Sequence, residues 1–232
     1  MKNTLIAVAV AALTCGSTAS AQTYNTNLIY TVNQVIPDGD FSGLALSTNL
    51  TGMSGTVSDL TLGLNILGGN NADLYAYLAG PNGGFAVLLN RVGVDLANPY
   101  GYEDSGFSIT LGSAAASNVH HYQATGFTLN GNDQLTGFWA PDGRNISPLS
   151  PPAAFDTAPV TATLDSFVGT NPNGLWTFYI ADVSGGASGI LESWELSLTT
   201  VPEPSTLALA IVGGLLLGGV FRRRKQVKAI NQ

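Results

Sequence analysis

The sequence predicts an all-β protein whose body is an antiparallel jelly-roll β-sandwich. Several segments between residues 30 and 199 alternate apolar and polar residues with a period of two, which is typical of strands with one buried and one solvated face. Clusters of Gly, Asn, Asp and Pro separate these segments and favour tight turns. No long stretch of this body carries an apolar stripe at helical spacing. Many short strands joined by such turns favour two packed antiparallel sheets.

Trp176 and Trp194 each lie in a segment of clear alternation, in the register of the apolar face, so we expect both in the core. Residues 36–200 form the expected sandwich, which is long enough to bury a core without disulfides. Residues 148–159 contain four prolines, and we expect a long exposed loop there. The clearest alternating segments are residues 60–66, 176–181 and 193–198.

The N-terminus has the features of a secretory signal peptide over residues 1–21. Lys2 precedes a short apolar run, and the small residues after it end in Ala19-Ser20-Ala21. The apolar run is too short to cross the ~30 Å hydrocarbon layer of a membrane. We expect cleavage after Ala21, followed by an N-terminal lead-in over residues 22–35. Cleavage removes Cys15, the only cysteine, so a disulfide scaffold, thiolate metal sites and a cysteine nucleophile are excluded from the mature chain.

The C-terminus predicts a single membrane helix. Residues 205–221 are uncharged and mostly apolar, and at 1.5 Å per residue they span roughly 25 Å, close to the thickness of the hydrocarbon layer. A basic tail over residues 222–232 follows and is expected to stay on the cytoplasmic side, which places the body outside. The bases that stop transfer are Arg222, Arg223, Arg224 and Lys225.

The motif Val-Pro-Glu-Pro occupies residues 201–204, directly before the predicted membrane helix. Pro202, Glu203 and Pro204, followed by an apolar helix and an arginine cluster, closely resemble the PEP-CTERM sorting signal. The resemblance implies recognition by an exosortase-type membrane enzyme and processing near the motif. It also implies transfer to the cell envelope, surface or exopolysaccharide of a Gram-negative bacterium. The alternative is a permanent single-span anchor in the membrane.

Four motifs of the body resemble the P domain, also called P/Homo B. That family has a jelly-roll fold related to galactose-binding domains, and it usually follows a subtilisin-like catalytic domain. Only residues 22–35 precede the first motif in the expected mature chain, so we expect no such catalytic domain there. The motifs are Ile36-Pro37-Asp38, residues 72–91 around Gly80-Pro81-Asn82-Gly83, residues 171–182 beginning Asn-Pro-Asn-Gly-Leu-Trp, and residues 189–196 reading Gly-Ile-Leu-Glu-Ser-Trp-Glu-Leu.

Calcium is the predicted ligand of the body, if it binds a metal. Turns rich in Asp and Asn offer the hard oxygen ligands that calcium prefers. The resemblance to P domains, which can hold structural calcium, places the first candidates at Asp73 and Asp182, with Asp104 as a third. The chain departs from the family at Gly112-Ser113, where many relatives have two aspartates after the strand at residues 107–111. Solvated turn aspartates are the alternative.

The sequence predicts no catalytic site. Asp104-Ser105-Gly106 lacks the neighbouring glycines of the trypsin-type nucleophile motif, and we expect a polar turn there. The only histidines are adjacent, His120 and His121, and on a strand they would point to opposite faces. We therefore expect them in a surface or loop role. A glycan-binding role would need exposed aromatic rings, for which the candidates are Tyr100, Tyr102, Tyr122 and Trp139, with Tyr102 and Trp139 as the residues to test.

The charge of the body excludes nucleic acid as a partner. Residues 22–201 carry 14 acidic and two basic residues, a net charge of −12, whereas phosphate contacts need Lys and Arg. The sequence as a whole predicts an exported, non-catalytic surface protein with a structural or adhesive role. The alternatives are an accessory P domain that assists a separate subtilisin-like protease, and a carbohydrate-binding module.

Overall fold

The computed structural model describes residues 23–202, which form two β-sheets with little helix. One short α-helix and four 3-10 turns, at Asn71–Asp73, Pro81–Gly83, Val119–Ala124 and Leu164–Phe167, connect the strands of this part of the chain. The elements are β1 (Tyr24–Val35), β2 (Leu44–Leu50), β3 (Thr56–Gly68), β4 (Leu74–Ala79), β5 (Phe85–Asn90), β6 (Gly106–Gly112), β7 (Leu135–Trp139), α1 (Pro152–Thr157), β8 (Gly174–Asp182) and β9 (Gly189–Val201).

The strands are arranged as a five-stranded sheet, β1-β9-β3-β6-β7, and a four-stranded sheet, β2-β8-β4-β5. Their buried faces share one hydrophobic core, so the predicted β-rich, two-sheet architecture is confirmed. Every neighbouring pair is antiparallel except β6 and β7, which run parallel. The parallel pair departs from the purely antiparallel expectation because the connection over residues 113–134 is long enough to return the chain to the starting end of β6.

The period-two alternation predicts the core correctly. The apolar residues of β3 from Leu60 to Ile66 are buried, and so are Trp176 of β8 and Trp194 of β9. Burying one large side chain of this kind contributes about 1.5–3 kcal/mol to folding. Trp194 stacks between Tyr30 of β1 and Phe178 of β8, with ring centroids 4.4 and 5.2 Å away.

The predicted lead-in over residues 22–35 is wrong, because β1 is part of the sandwich. It pairs with β9 from Tyr24 opposite Thr200 to Val35 opposite Ile190. Leu28, Tyr30 and Val32 alternate toward the core and pack against it. The sandwich therefore begins at Tyr24 rather than at Ile36.

The predicted loop over residues 148–159 contains a helix, α1, that starts at Pro152. Proline is suited to the first turn of a helix, where its missing N–H has no partner to lose. Phe155 of α1 is fully buried, and its ring lies parallel to that of His120 with a centroid distance of 5.8 Å. The ring of Phe155 therefore ties this segment to the rest of the body.

The histidines were predicted in a surface or loop role, and both lie in the loop between β6 and β7, but His120 is buried rather than on the surface. Both histidines lie in the 3-10 turn Val119–Ala124, which starts where the side chain of Asn118 accepts a hydrogen bond from the backbone N–H of His120. The turn directs His120 inward, where it is fully buried, and leaves His121 half-buried.

The sandwich has two opposite ends, the exit end and the acidic end. The exit end holds the start of β1 and the last residues of β9, where Thr200 faces Tyr24 and Val201 faces Thr56. The acidic end holds the start of β9 and the loops at residues 36–43, 69–73, 91–105 and 183–188.

Several predicted features lie outside the described residues. They are the signal peptide with Ala19 and Ala21, the membrane segment at residues 205–221, and the basic tail with Arg222, Arg223, Arg224 and Lys225. Between residues 23 and 202, no helix has the length and apolar character needed to cross a membrane.

Candidate functional site

The acidic end concentrates carboxylate side chains. Backbone hydrogen bonds tie its segments together, from Asn71 N to Asp104 O, from Ser105 N to Asp133 O, and from Val183 N to Asp73 O. Carboxylates held at one end of a body create a local negative potential that attracts cations. The acidic residues on these segments are Asp38, Asp40, Asp73, Asp95, Glu103 and Asp104, and two more lie next to them, Asp182 at the end of β8 and Asp133 just before β7.

Strand pairing brings together Asp73 and Asp182, the two first calcium candidates. Asp182 ends β8 and lies opposite Leu74, the residue after Asp73. The backbone N–H of Val183 donates to the carbonyl of Asp73 over 2.8 Å. Asp73 is 7% exposed and Asp182 is 0% exposed. The sequence motifs therefore identified two carboxylates, more than 100 residues apart, that are neighbours in the fold.

Only one of the two carboxylate oxygens of Asp182 accepts a hydrogen bond from the described residues. Its Oδ1 accepts a hydrogen bond from Ser184 N over 3.2 Å, whereas its Oδ2 is buried without a hydrogen-bond partner among the described residues. Burial, together with the negative charges of Asp73 and Asp38, raises the pKa of Asp182 to about 6. A buried charged oxygen without a partner is costly, so a proton or a cation is needed to stabilise it.

A hard cation fits this pair better than a transition metal, because the available donors are oxygens. Within residues 23–202, no group of three or more His, Cys, Asp or Glu side chains is placed to hold a metal ion. A calcium ion at Asp73 and Asp182 would therefore take its other ligands from backbone carbonyls or water, which is common for calcium.

Asp38 joins this site, although the sequence analysis did not group it with Asp182. Its two carboxylate oxygens accept from the backbone N–H of Gly186 over 3.0 and 3.3 Å. The next residue, Gly39, has a φ of +60° and approaches Gly185 closely, which favours glycine at this turn. The resemblance of Ile36-Pro37-Asp38 to a P-domain motif was the one signal that could have found it.

Asp104, the third calcium candidate, belongs to a separate hydrogen-bond network. Its Oδ2 accepts from the hydroxyl of Tyr122 over 2.6 Å and from Nε2 of Gln123 over 2.7 Å. Asn71 donates to the same hydroxyl over 3.2 Å and thereby links the network to the turn before Asp73. Burial, followed by the hydrogen bond to Asp104, raises the pKa of Tyr122 well above its usual value. Asp104 thus supports the turn that positions Asp73.

Trp139 and Tyr102, the two aromatic residues to test for glycan contact, differ in exposure. Trp139 is only 5% exposed, and its indole N–H donates to the carbonyl of Thr136 over 2.9 Å. Tyr102 is half-buried and packs edge-on against Tyr122. Tyr100, another of the aromatic candidates, is 79% exposed beside an open depression of about 500 Å3 that Tyr102 also lines. Trp139 is therefore not an exposed platform, whereas a glycan contact at Tyr102 stays a prediction.

A second polar cluster, centred on Asp142, is buried and was missed by sequence reasoning. Asp142 lies 2.6 Å from Nδ1 of His120 through Oδ2, and 3.3 Å from Nη1 of Arg144 through Oδ1. The other nitrogen of His120, Nε2, lies 3.0 Å from the carbonyl of Val94. Both nitrogens of His120 therefore face oxygen atoms that can accept a hydrogen bond. In this arrangement His120 has no nitrogen free to act as a base.

His121 completes the cluster on its outer side. Its Nε2 accepts a hydrogen bond from Nη2 of Arg144 over 3.2 Å, so this nitrogen carries no proton. Burial, the charge of His120 and the charge of Arg144 lower the pKa of His121. The cluster therefore consists of Asp142 held between His120 and Arg144, with His121 at its rim.

Comparison with known families places a sorting signal at the exit end. Residues 200–225 match the PEP-CTERM protein-sorting motif, and no curated protein matches the chain. The match confirms the predicted signal at Pro202, Glu203 and Pro204, and it starts inside the last strand, β9. The resemblance of the body to P domains stays a prediction.

Two solved structures are similar to this chain, the serine protease of Aeromonas sobria alone and the same protease in complex with its chaperone ORF2. Each is 14% identical with a TM-score of 0.42, and the matches cover 80% and 78% of this chain respectively. This chain spans 28% of each matched chain. The sorting motif indicates a protein exported through an exosortase-type system to the envelope or surface of a Gram-negative bacterium.

Proposed function

We propose that this protein is an exported, non-catalytic β-sandwich that is displayed on the cell surface or in exopolysaccharide, where its role is structural or adhesive. The observation that carries the proposal is the sorting motif at residues 200–225. The motif begins at the exit end, opposite the acidic end of the sandwich. The predicted order of segments supports this role, with a signal peptide, a sandwich, the motif at residues 201–204, a membrane segment and a basic tail.

Replacing Pro202, Glu203 and Pro204 together by alanine is expected to abolish sorting. The exosortase-type enzyme then has no motif to recognise, and the protein should stay in the inner membrane with Arg222–Lys225 intact. Cell fractionation and mass spectrometry of the C-terminus measure both outcomes. The control variant replaces Ser205 and Thr206 by alanine and should be sorted normally. Wild-type protein that reaches the surface with its arginine cluster retained would instead indicate a permanent anchor.

We also infer that Asp73 and Asp182 hold a structural calcium ion at the acidic end. The support comes from the unpartnered Oδ2 of Asp182, the adjacent carboxylate of Asp73, and the network through Asp104 that holds the turn. An ion bound only to the folded state stabilises it. At the far end of a sorted protein, such an ion would rigidify the loops that meet other surface molecules.

Asp182→Asn is expected to change the response of the protein to both pH and calcium. The folded pKa of Asp182, about 6, lies above the value for an unfolded aspartate. The stability contributed by its proton is therefore present at low pH and is lost as pH rises through about 6. Without calcium, wild-type Tm should rise between pH 7 and pH 5. The variant should lack this rise and melt higher than wild type at pH 7.

Calcium at pH 7 should raise the Tm of the wild type and leave that of Asp182→Asn unchanged. Differential scanning calorimetry with chelator and with excess calcium measures both shifts. Asp165→Asn removes an exposed carboxylate outside the acidic end, and it should respond to calcium and pH like the wild type. If calcium raised the Tm of Asp182→Asn as much as that of the wild type, the ion would bind at another site.

A further inference from the structure

The two lateral sides of the sandwich differ in whether other segments cover their edge strands. On one side, loop segments cover the edge strand β5, with hydrogen bonds from Gly143 N to Val87 O and from Val87 N to Ala162 O, both 2.9 Å. The edge of β7 is partly covered as well, since Thr136 N donates to Thr128 O over 3.0 Å. Covering an edge prevents another chain from adding a strand to it.

The opposite side, formed by β1 and β2, is open. Each of these strands pairs with a single neighbour, β9 or β8. Between residues 23 and 202, no further backbone segment forms hydrogen bonds with residues 24–35 or 44–50. The two edges lie side by side, since the hydroxyl of Tyr30 donates to Oγ1 of Thr48 over 3.2 Å. Both edges therefore offer backbone groups for pairing.

Neither strand carries a charge or a proline to protect its free edge. Natural edge strands are blunted by lysine, proline, bulges or short length. β1 has twelve residues with no charge and no proline, and its register with β9 is continuous from Tyr24 to Thr31. The only irregularity comes later, near Asn33, whose φ is +53°. β2 is also uncharged and free of proline.

The core is also incompletely closed on this side. Leu28, Tyr30 and Val32 of β1 face the core, yet all three stay partly exposed. Tyr30 and Val32 border a cleft of about 320 Å3 between β1 and β2, with Trp194 in its wall. A further strand or a second sandwich against β1 would remove more of this apolar surface from water, which is favourable.

The charge distribution favours a second copy of the same chain as the occupant. The body carries a net charge of −12, so two copies repel each other over most orientations. Residues 22–37 and 41–58 contain no charged residue, and these ranges include both open strands. Identical copies can therefore approach through this side, whereas a basic partner would be drawn to the acidic end.

We propose that β1 pairs antiparallel with β1 of a second copy around a two-fold axis, which joins the two five-stranded sheets into one. An axis perpendicular to the sheet gives antiparallel pairing and keeps both core faces on the same side. The proposal goes beyond the sorting function and does not depend on it.

This pairing has a consequence for sorted molecules. The exit end of each copy lies beside Tyr24, at the start of β1. Antiparallel pairing of the two β1 strands therefore places the two exit ends at opposite ends of the dimer. This arrangement suits copies on facing surfaces, or copies released by processing.

Disulfide trapping tests the pairing in the full-length protein recovered from its host. In a Cys15→Ser background, single cysteines are placed at Asn25, Asn27, Ile29 and Thr31, which face solvent along the outer side of β1. Oxidation should give a covalent dimer whose yield is highest for one of these four positions and lower for the positions before and after it along β1. Leu149→Cys, in an exposed loop, is the control. Equal cross-linking at Leu149 and along β1 would overturn the proposal.

Sedimentation velocity gives an independent readout without cysteines. Ile29→Glu places like charges close together across the axis and should weaken the dimer by at least ~10-fold. Leu149→Glu makes the same change at a residue of matched exposure, 67% against 65%, and should leave the dimer intact. A wild-type protein that stays monomeric at high concentration overturns the proposal. This holds also if slow hydrogen exchange of β1 shows that another part of the chain covers this edge.

Discussion

Asp142→Ala is expected to lower the free energy of unfolding by about 3–5 kcal/mol, because it leaves the buried Arg144 guanidinium and the buried His120 ring without their carboxylate partner. The carboxylate of Asp142 contacts both His120 and Arg144, and all three residues are buried or nearly so. The cluster also joins distant segments, since His120 reaches the carbonyl of Val94 and Arg144 reaches that of Phe155 in α1. The loss should therefore loosen the whole side of the sandwich around α1.

Urea denaturation at neutral pH measures this effect. Asp165→Ala removes an exposed carboxylate and should change the unfolding free energy by no more than about 0.5 kcal/mol. Asp142→Asn keeps the shape of the side chain and part of its hydrogen bonding, so we expect an intermediate loss. If Asp142→Ala were as stable as Asp165→Ala, the buried cluster would not hold these segments together.

Trp194→Ala is expected to cost about 3–5 kcal/mol, the range found when a large buried aromatic is truncated. The indole lies near the middle of β9 between the rings of Tyr30 and Phe178, and it is almost fully buried. Its removal leaves a cavity that joins the cleft between β1 and β2. The two sheets would lose their main contact beside the open edge.

Trp194→Phe is the matched variant for this prediction. A phenyl ring retains one stacking partner and much of the buried area, so thermal unfolding should show a clearly smaller loss than for alanine. Tyr30→Phe removes only the hydroxyl that donates to Thr48 and should cost no more than about 1.5 kcal/mol. Equal losses for Trp194→Ala and Trp194→Phe would show that the stacked arrangement contributes little.

Local patterns in the sequence predicted the features that depend only on neighbouring residues. Alternation with a period of two depends on the geometry of one strand, so the strands around Leu60, Trp176 and Trp194 could be recognised directly. The sorting motif is likewise a contiguous pattern, and its position at residues 200–225 was predicted from its order and spacing. The carboxylates Asp73 and Asp182 were selected only through the motifs that surround them.

Other features could not be predicted because they depend on which segments meet. The burial of His120 requires Asp142 and Val94, which lie more than 20 residues away on either side. Asp38 meets Gly186 only because loops from opposite parts of the chain close the same end of the sandwich. The short helix α1 exists in a proline-rich stretch because Phe155 finds a buried place beside His120.

The charge pattern and the strand pattern were thus determined by the sequence alone, including the uncharged character of β1 and the acidity of the body. Only the tertiary structure decided that β1 is an edge and that the edges of β5 and β7 are covered. The physical reason is that alternation records which face of a strand is buried, whereas the hydrogen-bonding edges are identical for every residue type except proline. The order of strands in a sheet therefore has to come from the packing of the whole chain.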